Sequence, residues 1–75
     1  MDYEYDALVG GQIKKFRENL ELTQEQLAAK MQIAGCLSIT RSTLAKIEAG
    51  QRHIYAIELK NFATVLHVSY EDLFV

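Results

Sequence analysis

Proline and tryptophan are absent from this chain, cysteine occurs once and glycine four times. Without proline no segment carries the strongest helix breaker. Runs rich in Val, Ile, Thr and Tyr are scarce, so the composition favours helices over strands. A lone cysteine, Cys36, excludes an intrachain disulfide and a metal site built from paired thiolates. It reads as a small apolar residue near a loop and suits a reducing, cytoplasmic setting. No charged-then-apolar leader opens the sequence, and no apolar run approaches the ~18 residues needed to span a bilayer, so a soluble protein is expected. An excess of positive charge is also missing, since the formal net charge is −2.

What is present suffices for one domain. The chain has 75 residues, of which 49% are hydrophobic. A domain of this size buries only about 60% of its unfolded surface, so its core has little to spare. The charge is unevenly placed. Asp2, Glu4 and Asp6 lie in an acidic, aromatic N-terminal stretch, and residues 1–5 read as a tail. From Ala7 onward eight Lys and Arg face seven Asp and Glu. Net charge bears on non-specific attraction and encounter rate; the location of the basic residues decides more.

Apolar spacing predicts short helices. Val9, Ile13, Phe16 and Leu20 form a stripe that places helix 1 within Asp6 to Leu20. Gly10 and Gly11 each cost up to ~1 kcal/mol in a helix interior, which favours a start after them. Thr23 and Gln26 have the spacing of a capping box, and Leu22 and Leu27 that of a hydrophobic staple. Helix 2 then runs through Ala28, Ala29 and Met31 towards Gly35, a suitable left-handed cap. Helix 3 starts at a Ser38 or Thr40 cap, turns Leu44 and Ile47 inward, and stops at Gly50. Helix 4 spans Tyr55 to Leu66, with Leu59, Phe62, Ala63 and Leu66 as its buried stripe. Ser69 caps a short helix 5, and Leu73 and Phe74 close the core.

Three segments in this order, Leu22-Thr23-Gln24-Glu25-Gln26-Leu27-Ala28, Arg41-Ser42-Thr43-Leu44-Ala45-Lys46-Ile47-Glu48-Ala49-Gly50 and Val68-Ser69-Tyr70-Glu71-Asp72-Leu73-Phe74, resemble the Cro/repressor-like (Xre-type, lambda-repressor-like) helix-turn-helix family. The resemblance runs from Ile13 to the end. It implies an all-α, five-helix DNA-binding domain over residues 6–75. In that family the second helix of the motif enters the major groove, N-terminal residues first. Carried over by position, Arg41, Ser42 and Lys46 are the implied base contacts; Arg and Lys suit guanine O6 and N7. Gln24, Thr40, Gln51, Arg52 and His53 are the implied phosphate contacts. Arg17 and Glu48 correspond to a structural ion pair between the first helix and the recognition helix. A homodimer on two half-sites ~34 Å apart is implied as well. The last helix and the N-terminal tail are its candidate interfaces, with Tyr70, Leu73, Phe74 and Val75 as apolar material. The chain departs from the family around Gln32 to Leu37, where the connector is longer than usual by about six residues. The departure leaves helix 3 intact and puts the Gln24 contact in question.

Each of these residues also has a plainer reading. Arg41 and Lys46 read equally as solvated helix-surface cations, Thr40 as an N-cap, and Arg52 and His53 as loop residues. Other chemistry finds little support. Gly10-Gly11 is a bare pair, not a phosphate-binding loop. His53 and His67 lack neighbours at metal-ligand spacing, and Ser38, Ser42 and Ser69 lack a paired base. No cofactor, metal, membrane or small-molecule substrate is expected, and no enzymatic activity. The sequence-based expectation is a cytoplasmic, sequence-specific binder of double-stranded DNA that regulates transcription, in a repressor-like manner. The alternative is a protein-interaction module, antitoxin-like or a modulator, with weak DNA affinity.

Overall fold

The Thr23 side chain accepts from Gln26 N at 3.1 Å while Thr23 N donates to Gln26 Oε1 at 2.9 Å, so both halves of the expected capping box are present. This box opens α2 (Gln24–Ile33) in the computed structural model, which describes residues 3–74 and, of Tyr3, the backbone alone. Around it stand α1 (Tyr3–Asn19), α3 (Arg41–Glu48) and α4 (Ala56–Leu66). A 3₁₀ turn at Tyr70–Leu73 takes the place of the expected fifth helix. The architecture is all-α, with no strand among the described residues. After the Ser69 cap the segment has room for i→i+3 bonds only, Asp72 N to Ser69 O at 3.1 Å and Phe74 N to Glu71 O at 3.0 Å. Met1, Asp2, the Tyr3 side chain and Val75 lie outside the described residues, and with them part of the predicted tail and one predicted dimer residue.

Helix α1 begins earlier than expected. It includes residues 3–5 and passes through both glycines. The reason is tertiary. A Cβ built on Gly10 would sit 2.1 Å from the Ile47 carbonyl oxygen, so Gly10 lets α1 and α3 cross at backbone contact. That close approach offsets its helix-propensity cost. Gly11 faces open space and has no such role. Past α3, Gly50 sits at φ +73, where a Cβ would also meet the Cβ of Ala7 at 2.7 Å. Both glycines therefore press the start of α1 onto the end of α3.

The core lies where the four helices meet. Ile13, Leu27, Met31, Leu44, Ile47 and Phe62 are fully enclosed in it, and Leu66 and Leu73 seal the end near the 3₁₀ turn. Within the predicted α1 stripe, Val9 and Ile13 are buried, Phe16 is half-buried, and Leu20 is exposed beyond the helix end. The connector between α2 and α3 is an anchored loop over residues 34–40. Gly35 turns the chain at φ +103. Cys36 and Ile39 then drop into the core. Gln32 Nε2 donates to Ile39 O at 3.1 Å, and Asn61 Nδ2 to Cys36 Sγ at 3.0 Å. Ile33 and Leu37 are left facing solvent.

Candidate nucleic-acid interface

α3 is eight residues long and has two distinct faces. Leu44 and Ile47 are wholly buried. At roughly 100° per residue, Arg41, Ala45, Ser42 and Lys46 follow one another over an arc of roughly 140° on the opposite side. Arg41, Ser42 and Lys46 are exposed along that arc, so the three predicted base-contacting residues share one open face. Ala45, between Arg41 and Ser42, is half-buried. The helix starts at Thr40, whose hydroxyl oxygen accepts from Thr43 N at 3.2 Å. The same hydroxyl lies 3.1 Å from Thr43 Oγ1, to which it donates. Thr40 is thus employed as an N-cap, and its hydroxyl proton is already given to a neighbour.

A second structure braces this face from behind. Arg17 grips Glu48 with two bonds, Nε to Oε2 at 2.7 Å and Nη2 to Oε1 at 3.0 Å, and its Nη1 donates to Leu22 O at 2.7 Å. The Arg17 and Glu48 side chains are 10% and 3% exposed, so this pair is enclosed. Hydrogen bonding to Glu48 raises the Arg17 pKa above its ordinary value, against the opposing effect of burial; the charges of Glu48 and Glu18 add to the rise. Gln24 joins the same carboxylate, with Nε2 donating to Glu48 Oε1 at 3.0 Å. Glu48 therefore fastens α1, the start of α2 and the end of α3 to one point. One Gln24 N–H is committed to this brace. Gln24, Thr40, Arg41, Ser42 and Ala45 together line a shallow recess between α2 and α3.

In the loop after α3, Arg52 and His53 have partners within the fold. Arg52 is tied to Glu58 through Nη1 to Oε1 at 2.5 Å and Nη2 to Oε2 at 3.0 Å, and its Nη1 also reaches His53 O at 2.8 Å. Its guanidinium carbon stands 5.3 Å from the Tyr55 ring centre. Bonding to Glu58 raises its pKa against desolvation, and the charges of Glu58 and Tyr55 reinforce the rise. Glu58 also accepts from Tyr55 N at 3.0 Å, the carboxylate half of a capping box on α4. A phosphate would have to compete with this buried carboxylate for Arg52. His53 is exposed, but its Nδ1 lies 3.3 Å from Oδ2 of the buried Asp6, and its ring meets Tyr55 edge-on. Gln51 is exposed, with its backbone N donating to Lys46 O at 2.8 Å.

Sequence reasoning misses Glu58, Asp6 and the Gln24–Glu48 bond. A partial signal for Glu58 exists, since it stands three residues after the Tyr55 cap of α4, at capping-box spacing. Tyr55 in place of Ser or Thr hides the pattern. Asp6 gives no signal, because its partner is 47 residues away. No group of His, Cys, Asp and Glu suited to a metal ion occurs among the described residues. No helix among them is long and apolar enough to cross a membrane.

Residues 13–73 match the helix-turn-helix family. The fold is similar to the solved structure of the restriction-modification controller protein C.AhdI from Aeromonas hydrophila, with a TM-score of 0.82, 26% sequence identity and 96% of each chain covered. No curated protein matches the chain. The capped α2, the two-faced α3 and the Arg17–Glu48 brace lie within the matched span, and the chain belongs to the helix-turn-helix family, in its Cro/repressor-like (Xre-type) branch.

Proposed function

We propose that this chain binds double-stranded DNA by placing the exposed face of α3 in the major groove, and that it regulates transcription, as a repressor, by occupying a promoter in the cytoplasm. The observation that carries the reading is the shared open face of Arg41, Ser42 and Lys46 opposite the buried Leu44 and Ile47. A major groove about 12 Å wide accepts one helix, and side chains on its first turns reach base edges. Arg41 supplies a fork for guanine O6 and N7, Lys46 a point charge one turn on, and Ser42 a hydroxyl that pairs with any base. Gln51 and the backbone at the start of α2 are the candidate phosphate contacts. Arg52 and Thr40 serve first as internal partners.

The active species is a homodimer in this reading. The support is an apolar groove along α4 and the 3₁₀ turn, lined by Ala56, Ile57, Ala63, Val68 and Tyr70 among others. Ile57 is 62% exposed and Tyr70 is 41% exposed along this groove, apolar surface that a second copy would cover. C.AhdI is a restriction-modification controller, and a controller role of that kind is a parallel for this chain.

The test is a fluorescence-anisotropy titration of randomised duplex DNA at two salt concentrations, with sequencing of the bound fraction. Salt-sensitive binding that enriches a near-palindrome is the expected outcome. Absence of binding at low salt would instead favour a protein-interaction module, a reading that the neutralised Arg52 and the net charge of −2 also suit.

A further inference from the structure

The α3 face holds one residue with no assigned part in recognition. Ala45 sits near the middle of the exposed arc, yet it is half-buried, because it forms part of the recess with Gln24, Thr40, Arg41 and Ser42. Two of the polar groups around the recess are already engaged. The Thr40 hydroxyl is used within α3, accepting from Thr43 N and donating to Thr43 Oγ1. One Gln24 N–H is held by Glu48 at 3.0 Å. The Gln24 wall is also stiff, since Glu48 is itself clamped by Arg17 at 2.7 Å. A shallow hollow with the Ala45 methyl on its wall, the Thr40 hydroxyl proton given to Thr43 and one Gln24 N–H held by Glu48 has room for a small apolar substituent beside the polar Arg41 and Ser42. A base edge in the major groove offers one such group, the C5-methyl of a pyrimidine, and alanine is a side chain that packs against it.

We propose that Ala45 is a specificity-determining residue, and that the recess between α2 and α3 receives the C5-methyl group of one pyrimidine in each half-site. The inference rests on the DNA-binding reading above and goes further, naming the chemical feature that is read at one base. Thymine and 5-methylcytosine present the same group there. Flanking the slot, Arg41 and Ser42 supply the polar readout, and Ala45 makes contact by shape.

The experiment uses the full chain and the sequence selected from the random pool. Each thymine is replaced in turn by deoxyuridine and each cytosine by 5-methylcytosine, and affinities are measured by anisotropy. One position per half-site is expected to bind about fourfold more tightly with the methyl than without it, the worth of one buried methyl-sized group. Whether that position holds thymine or cytosine identifies the source. In Ala45→Gly the ratio at that position is expected to fall to about one, with other positions unchanged. Ala45→Ser, which keeps a Cβ and perturbs the helix less, is expected to reduce the ratio as well. A selected sequence with no methyl-sensitive position would overturn this inference alone. A ratio unchanged in both variants would do the same. Failure to select any sequence would overturn the DNA-binding reading, and this inference with it.

Discussion

Two arginines in this protein each grip a glutamate with both prongs, and the resemblance of geometry hides a difference of purpose. Arg17 reaches Glu48 across 31 residues and joins α1 to α3, with Gln24 of α2 on the same carboxylate. Arg52 reaches Glu58 across six residues and shapes only the loop into α4. The first fork ties α3 to α1 and to the start of α2 at one carboxylate. The second holds the Arg52 cation on a buried carboxylate beside the loop after α3. An arginine beside a recognition helix therefore cannot be counted as a phosphate contact until its carboxylate partners are known.

The largest effect is expected from cutting the long fork. Glu48→Ala leaves Arg17 enclosed without a counter-charge, and removal of one member of a buried pair costs about 3–5 kcal/mol. Urea denaturation should show the midpoint falling steeply, towards unfolding at ordinary temperature for a domain this small. A loss under about 1 kcal/mol would show that the brace is solvated like a surface pair.

Cutting the short fork should cost less. Arg52→Ala is expected to lower stability by about 2 kcal/mol, the scale of lost hydrogen bonds to a charged group. It should leave the slope of log affinity against log salt unchanged. A slope reduced by about one charge would show that DNA draws Arg52 away from Glu58.

An exposed cation on α3 sharpens the contrast further. Lys46→Ala should leave stability within about 0.5 kcal/mol of the parent, as surface changes usually do. Binding to the selected sequence should weaken by about 1 kcal/mol, and by more than binding to random duplex. Equal losses on both DNAs would assign Lys46 to the phosphates. The smallest effect is expected at Gln24→Ala, which removes one of the donors on Glu48 and about 0.5–1 kcal/mol of stability. If Gln24 also meets phosphate, its loss should weaken selected and random DNA alike.

Local devices are legible in the order of residues. The box at Thr23 and Gln26 and the cap at Ser69 involve residues three apart, and both form with the bonds that their spacing implies. The α4 stripe is a periodicity, and Leu59, Phe62, Ala63 and Leu66 are all buried as it requires. The start of α1 is not legible in the same way, because the benefit of Gly10 comes from Ile47, 37 residues later along the chain. Arg52 reads as a phosphate contact through the family resemblance, which says nothing about Glu58.

The caps of α2 and α3 and the inward face of α4 follow from the order of residues, since they depend on neighbours within a turn or two. The order of residues also places Arg41, Ser42 and Lys46 on one side of α3, through nothing more than helical geometry. Which charges stay available on that side is decided by packing. Glu48, Glu58 and Asp6 meet their partners only when the chain folds back on itself, and an ion pair needs its two ends within a few ångströms wherever they lie along the chain.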